Sequence, residues 1–241
     1  RMITRTNRVD NASTVGYKKE GSTSQFFNDV LTVKIKEQSV GKRNVQKIGI
    51  KNPGVKIGEN YTDYTQGSFR ITDNTYDLAL AGDGFFAIEF TNKAGETDTK
   101  YTRAGQFTLN KDGYLVTEEG DYVLDTQNRR IRLNTLLDSK ITDDGTIYQN
   151  DQAVARIQVT DFEDYDYLEK YGETYYQPIE GAKTTTADAQ VKSGYLEMAN
   201  VQIVSEMVNL ISITRAYESN QKVVQTIDGT LDVAANQIGK L

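Results

Sequence analysis

The sequence predicts a mainly β protein with α-helical termini: an antiparallel β body followed by a long C-terminal helix of coiled-coil type. Three observations predict it. Short apolar and aromatic runs in the middle of the chain are separated by turn dipeptides, the final stretch changes to heptad spacing, and only 2 of 241 residues are proline, too few for a proline-stiffened linker.

The opening stretch is short and polar. Between residues 77 and 90 apolar and aromatic side chains are dense, and from Tyr101 onward strand-like runs are punctuated by Asp112-Gly113, Glu119-Gly120 and Asp144-Gly145. Glycine and aspartate tolerate the left-handed backbone of tight hairpin turns, while Val, Ile, Tyr and Phe fit the pleated faces between them. An antiparallel meander follows from this. A further strand is predicted over 153–159, where Val154, Ile157 and Val159 are interrupted by polar residues. The tyrosine-rich segment 161–176 is ambiguous.

From about residue 196 the period changes. Alternating steps of four and three from Ile203 visit Met207, Leu210, Thr214, Tyr217, Gln221, Val224, Asp228, Leu231, Ala235 and Ile238, and eight of these eleven positions are apolar or aromatic. A helix of about 40 residues would be roughly 60 Å long, which favours a coiled-coil or bundle seam over an ordinary core helix. The candidate assembly seam is Ile203, Met207, Leu210, Tyr217, Val224, Leu231 and Ile238. Thr214, Gln221 and Asp228 fall on the same line, where polar residues lower pairwise stability and can fix register or admit several neighbours. Periodicity alone leaves open a helix that packs on its own domain.

Composition narrows the chemistry. Cysteine and histidine are absent, which removes disulfides, thiolate nucleophiles, Cys/His zinc sites and triads with an imidazole base. With 28 basic and 34 acidic residues the net charge is −6, and no Lys/Arg stripe is long enough to neutralise a run of phosphates, which argues against nucleic acid. No window approaches the roughly 18 apolar residues of a membrane span, and no basic patch followed by an apolar core opens the chain.

Local motifs read structurally. Gly82-Asp83-Gly84-Phe85-Phe86 lacks the Lys and Ser/Thr that follow a phosphate-cradling loop, and Phe-Phe continues a strand. Asp143-Asp144-Gly145 and Asn110-Lys111-Asp112-Gly113 do not extend into a twelve-residue calcium loop, so both are expected as hairpin turns. The acidic run 161–167 is expected as a solvated loop; its tyrosines suggest a subunit contact only weakly. No catalytic, cofactor or metal site is expected.

Three blocks carry a family resemblance. The first is Ser193-Gly194-Tyr195-Leu196-Glu197, Ala199-Asn200-Val201, Glu206-Met207-Val208, Arg215-Ala216-Tyr217-Glu218 and Asn220. The second is Gln66-Gly67-Ser68, Asp77-Leu78-Ala79-Leu80 and Gly82-Asp83-Gly84-Phe85-Phe86. The third is Tyr101-Thr102-Arg103-Ala104-Gly105, Phe107, Asp112-Gly113-Tyr114-Leu115-Val116, and Gly120 with Tyr122-Val123-Leu124. Together they resemble the bacterial flagellar rod and hook-basal-body proteins, in letters and in spacing. At the N-terminus Ser13-Thr14-Val15-Gly16-Tyr17-Lys18 is similar to the tail of that family's asparagine-rich signature, with only Asn7 and Asn11 before it. The amphipathic helix that usually opens these proteins is not read at the start of the chain, and truncation and natural departure are both open. A fragment would be expected as a soluble monomer with a frayed C-terminal helix.

The resemblance implies a structural subunit of the flagellar rod that polymerises through terminal helices to form a torque-transmitting axle and is not an enzyme. It implies an N-terminal axial segment (1–38), a β body (39–190, with 75–160 as its core, as one or two units) and a C-terminal axial helix (191–241). Implied partners are copies of itself, other axial proteins of rod and hook, and the flagellar export apparatus. The implied location is the basal body outside the cytoplasmic membrane, in periplasm or cell wall, with no nucleic acid and no membrane insertion. The short chain favours a rod protein over a hook protein. The competing reading is an extracellular ligand-binding β domain on a helical stalk, which would need a concave aromatic site. A hydrolase using only carboxylates would need two acids converging in a cleft.

Overall fold

The computed structural model describes residues 2–27, 30–36, 44–51, 54–93 and 95–236. Helices stand at both ends of this span, α1 (Met2–Asp10) and α2 (Ile203–Asn236), with antiparallel strands between them. The mainly β class with helical ends is therefore what the chain adopts. The N-terminal helix lies where no amphipathic helix is read from the sequence. Nine residues are too few for propensity to announce a helix, and α1 is supported instead by packing against α2. Thr4, Arg5, Arg8 and Val9 are its half-buried residues, a stripe at helical spacing. The Asn11 N–H makes its last helical bond, to the Asn7 carbonyl at 3.1 Å, which also accepts from the Asn11 side-chain amide, and the following Ala12 N–H bonds Val9 three residues back as the helix stops.

Two compact units divide the chain, one of residues 20–63 and one of residues 2–19 with 64–236. In the first, Glu20–Phe26 pairs with Val55–Thr62 and Val30–Lys36 with Asn44–Lys51, all antiparallel. These strands begin inside the polar stretch 1–38. Phe26, Val55 and Ile57 are exposed there, as expected where a two-stranded pairing offers no second layer to bury them.

The second unit is organised around the strand Phe85–Thr91. It pairs along one edge with Thr97–Thr102 and along the other with Tyr122–Val123 and Val159–Phe162. The sheet continues through Tyr175–Pro178 to Leu168–Tyr171 on one side and through Leu115–Thr117 to Phe107–Leu109 on the other, giving nine strands with Thr184–Thr186. Because side chains alternate across a strand, the adjacent Phe85 and Phe86 serve different cores. Phe85 enters an aromatic cluster with Tyr101, Phe162 and Tyr176, its ring centroid 5.3 Å from that of Tyr176. Phe86 enters an aliphatic cluster with Leu80, Leu115, Ile131 and Ile147, edge-to-face with Phe107 at 5.2 Å. Each such side chain contributes about 1.5–3 kcal/mol by leaving water. Both faces of the sheet are therefore covered.

The predicted turns lie where the dipeptides put them, with Gly113, Gly120 and Gly145 at φ of 83°, 97° and 78°. Gly82 and Gly84 likewise turn the chain from Leu78–Gly82 into Phe85–Thr91. The predicted strand over 153–159 is split. Gln152–Arg156 belongs to a three-stranded sheet with Ser139–Ile141 and Thr146–Gln149, and Val159–Phe162 belongs to the large sheet. At the crossing the Ile157 N–H donates to the Gly145 carbonyl and the Gln158 N–H to that of Leu124, so Ile157 is buried while Val154 stays exposed. The tyrosine-rich segment forms a 3-10 turn, Tyr165–Tyr167, and then the hairpin of Leu168–Tyr171 and Tyr175–Pro178. Tyr175 and Tyr176 are core residues. Burial pushes the Tyr175 phenol up, reinforced by the hydrogen bond that it donates to Asp121 at 2.8 Å.

A turn beside the large sheet gives a pH prediction. Burial pushes the Asp125 carboxyl up, but it accepts from the Arg129 backbone N–H, the Arg129 guanidinium and the Gln127 N–H at 2.8–3.1 Å, and together these hold it below the usual carboxylate range. A carboxyl lowered in the folded state stabilises above its unfolded value, and that contribution is lost as pH falls through the folded one. Asp125→Asn is expected to cost about 1 kcal/mol at neutral pH. In urea unfolding the difference from the parent protein should shrink in acid; a difference that grows in acid would contradict this origin.

Candidate assembly site

The site starts where the chain leaves the β body for α2. Tyr195–Glu197 pairs with Phe69–Ile71, and the Met198 N–H donates to the Ser68 carbonyl. This turns Glu197 inwards, to 1% side-chain exposure. Its carboxylate receives Lys18 Nζ at 2.7 Å and the Gly67 N–H at 2.9 Å on one oxygen, with Arg103 Nη1 at 3.5 Å from the other. Lys18 Nζ also donates to the Thr65 carbonyl at 2.9 Å. Arg103 lies over the Phe85 ring at 5.3 Å, which ties the cluster to the aromatic core.

Main chain reinforces the same junction. The Gly16 N–H donates to the Glu197 carbonyl at 2.8 Å, and the Lys19 N–H to Asn200 Oδ1 at 2.8 Å. Asn200 Nδ2 in turn donates to the Thr65 carbonyl and hydroxyl. Gly16 has φ of 69°, and a Cβ there would stand 2.3 Å from the Ala104 nitrogen, so both backbone angle and space require glycine. The four motif blocks of the sequence, at 13–18, 66–68, 101–105 and 193–201, thus converge on one carboxylate.

Beyond the junction α1 packs on the first turns of α2. Arg5 and Arg8 reach the two oxygens of Glu206 at 2.9 and 3.0 Å. Glu206 lies in the first helical turn, where the helix dipole also favours a negative charge. The half-buried residues of α2 here, Glu206, Asn209, Leu210, Ile213 and Thr214, follow three-four spacing. Glu206→Gln is expected to loosen α1 by roughly 1 kcal/mol, as partly exposed ion pairs do. Amide exchange should quicken in α1 while the strands keep their protection; unchanged exchange in α1 would count against the ion pair as its anchor.

From there to Asn236 the helix carries apolar side chains in water, and no residue of α2 is buried. Of the candidate seam, Ile203, Met207, Tyr217, Val224 and Leu231 are exposed, Tyr217 at 65%, Leu210 is half-buried, and Ile238 lies outside the described residues. A second set escaped the sequence reading. Val204, Val208, Ile211, Val223, Ile227 and Val233 are exposed as well, Val204 at 77%. The signal was present as apolar doublets, 203/204, 207/208, 210/211 and 223/224. A doublet puts apolar surface on two faces about 100° apart, more than one neighbouring helix can cover. Lys18, Arg103 and Glu197 stand in separate motifs of the sequence, and nothing in their spacing shows that they meet.

A cavity of about 220 Å³ beside Tyr175 is lined mainly by threonines and glutamates, including Thr117, Glu118, Glu119 and Glu173. Among the described residues no three carboxylates gather as a metal site would require, and no helix is long and apolar enough to cross a membrane. The Asp144 carboxylate is taken by the Thr142 and Thr146 hydroxyls of its own turn.

Comparison with known proteins bears on the same segments. Residues 192–238 match the family described as flagellar basal body rod FlgEFG protein C-terminal, and residues 79–149 match the flagellar hook protein FlgE/F/G D1 domain. The flagellar basal-body rod protein FlgG of Bacillus subtilis is 32% identical over 95% of this chain and 90% of its own length. The chain belongs to the flagellar rod and hook-basal-body family. FlgG of Caulobacter vibrioides is 33% identical over 95% of the chain and 90% of its own length, and FlgF of Mesorhizobium japonicum 30% over 99% and 92%. The two matched segments carry different parts of the site: 192–238 holds Glu197, Asn200 and α2, and 79–149 holds Arg103 and the central strands. Members of this flagellar family are structural components.

Proposed function

We propose that the chain is a structural subunit of the flagellar rod that polymerises through its terminal helices into a torque-transmitting axle. One observation carries this reading: α2 keeps apolar side chains exposed on more than one face along 34 residues. Such a surface is unfavourable in an isolated chain and is satisfied when copies stack, each helix covering the next in a heterologous, helically repeating contact. Residues 191–241 are then the C-terminal axial segment and residues 64–190 the main body. The strands from Glu20 onward favour confining the N-terminal axial segment to the residues before them. Candidate seam residues are Ile203, Met207, Leu210, Tyr217, Val224, Leu231 and Ile238, with Val204, Val208 and Ile211 facing a second neighbour.

Partners on this reading are copies of the chain and other axial proteins of rod and hook. Delivery is by the flagellar export apparatus, and the site of action is the basal body outside the cytoplasmic membrane. The work is mechanical, with no catalysis, cofactor or nucleic acid. The test is deletion of the gene in its source organism, with swimming scored and basal bodies imaged by electron microscopy. Basal bodies lacking rod or hook, restored by the full-length gene, are expected; normal hooks and filaments would overturn the reading.

A further inference from the structure

We propose that Lys18, Glu197 and Asn200 are positioning residues that set the direction in which α2 leaves the β body. Glu197 and Asn200 stand six and three residues before Ile203, the first residue of α2. The intervening chain has no regular secondary structure of its own to define a direction. Direction must come from ties to its surroundings: beside the Met198 N–H to Ser68 carbonyl bond and the packing of α1 on α2, the side chains of Glu197 and Asn200 tie this stretch to the body. Glu197 is held by Lys18, Gly67 and Arg103, and Asn200 by Lys19 and Thr65. Both converge on Thr65, whose carbonyl accepts from Lys18 Nζ and from Asn200 Nδ2.

Ionic chemistry is informative here. Ion pairs removed from water add little net stability compared with apolar side chains of the same volume, because desolvation offsets their attraction. Lys18 and Glu197 are each 1% exposed, beside two apolar clusters that supply the unit with an ordinary core. What the charges add over an apolar filling is geometry. A carboxylate bonded to an ammonium and to a backbone N–H accepts one arrangement, whereas methionines of similar size would pack in several. A fixed exit angle is what a repeating helical contact needs, but the placement of α2 is a property of the single chain and is tested there.

The chain has no cysteine, so spin labels can be attached at two introduced sites alone, Lys140→Cys on the body and Ser205→Cys in the first turn of α2, both exposed. In the full-length monomer the label-to-label distance distribution is expected to be a single narrow peak. In Lys18→Met/Glu197→Met/Arg103→Met the body should still unfold cooperatively with an undiminished midpoint, while the narrow peak is lost to a broad or multiple distribution. A folded triple variant that keeps the peak would overturn the proposal, since a merely space-filling role is met by methionine. Should the triple variant not fold, Asn200→Ala decides, because Asn200 lies outside the core: a broadened peak with unchanged melting supports the proposal, and an unchanged peak overturns it.

Discussion

Replacing Glu197 by glutamine is expected to cost about 3–5 kcal/mol, the penalty of leaving a buried cation without its counter-charge. The carboxylate is the shared partner of Lys18 at 2.7 Å and Arg103 at 3.5 Å, and all three side chains are 1–2% exposed. A carboxamide keeps one acceptor but turns an N–H toward a cation or toward the Gly67 N–H, so one of these contacts becomes repulsive. Against a total stability of about 5–15 kcal/mol for a folded domain, this would be a large fraction. Without tryptophan, unfolding in guanidinium is best followed by circular dichroism and the fluorescence of the 15 tyrosines. A loss under about 1 kcal/mol would mean that water or local rearrangement solvates the two cations. Lys18→Met and Arg103→Met together with Glu197→Met should recover much of the loss, because they remove both cations along with their shared partner.

Aspartate at Met207, Tyr217 or Val224 is expected to abolish assembly while leaving the β body as stable as before. These side chains are exposed in the single chain, so a charge costs the monomer little. In a stack each would be covered, and losing about 1.5–3 kcal/mol of burial per contact, before any cost of enclosing the charge, weakens subunit addition roughly 10–100-fold. Sedimentation of purified chains and complementation of the deletion strain read this directly. Aspartate at Val204 or Val208 separates one seam from two: loss of assembly is expected there as well, whereas normal assembly would confine the contact to the heptad line. Variants that assemble normally at both faces would leave the exposed surface of α2 without its proposed role.

Much of this was legible in the chain because the signals are local. Turn dipeptides placed Gly113, Gly120 and Gly145, since a positive φ is a property of one residue and its neighbour. The heptad line announced α2 because a helix repeats its own geometry whatever surrounds it. Alternation over 153–159 misled for the converse reason, as two strands of different sheets can follow one another in register and only tertiary pairing shows the break at Ile157. Nor could α1 be read locally, because nine mostly polar residues become a helix through α2 and the Glu206 ion pairs.

By itself, then, the sequence determined the class of fold, the absence of thiol and imidazole chemistry, and the existence of a long apolar helix, all of which follow from composition and short-range periodicity. Only the tertiary structure decided that Lys18, Thr65, Gly67, Arg103, Glu197 and Asn200 form one joint. Charge attraction acts through space, and no rule of spacing along a chain brings residues 18 and 103 to the carboxylate of residue 197.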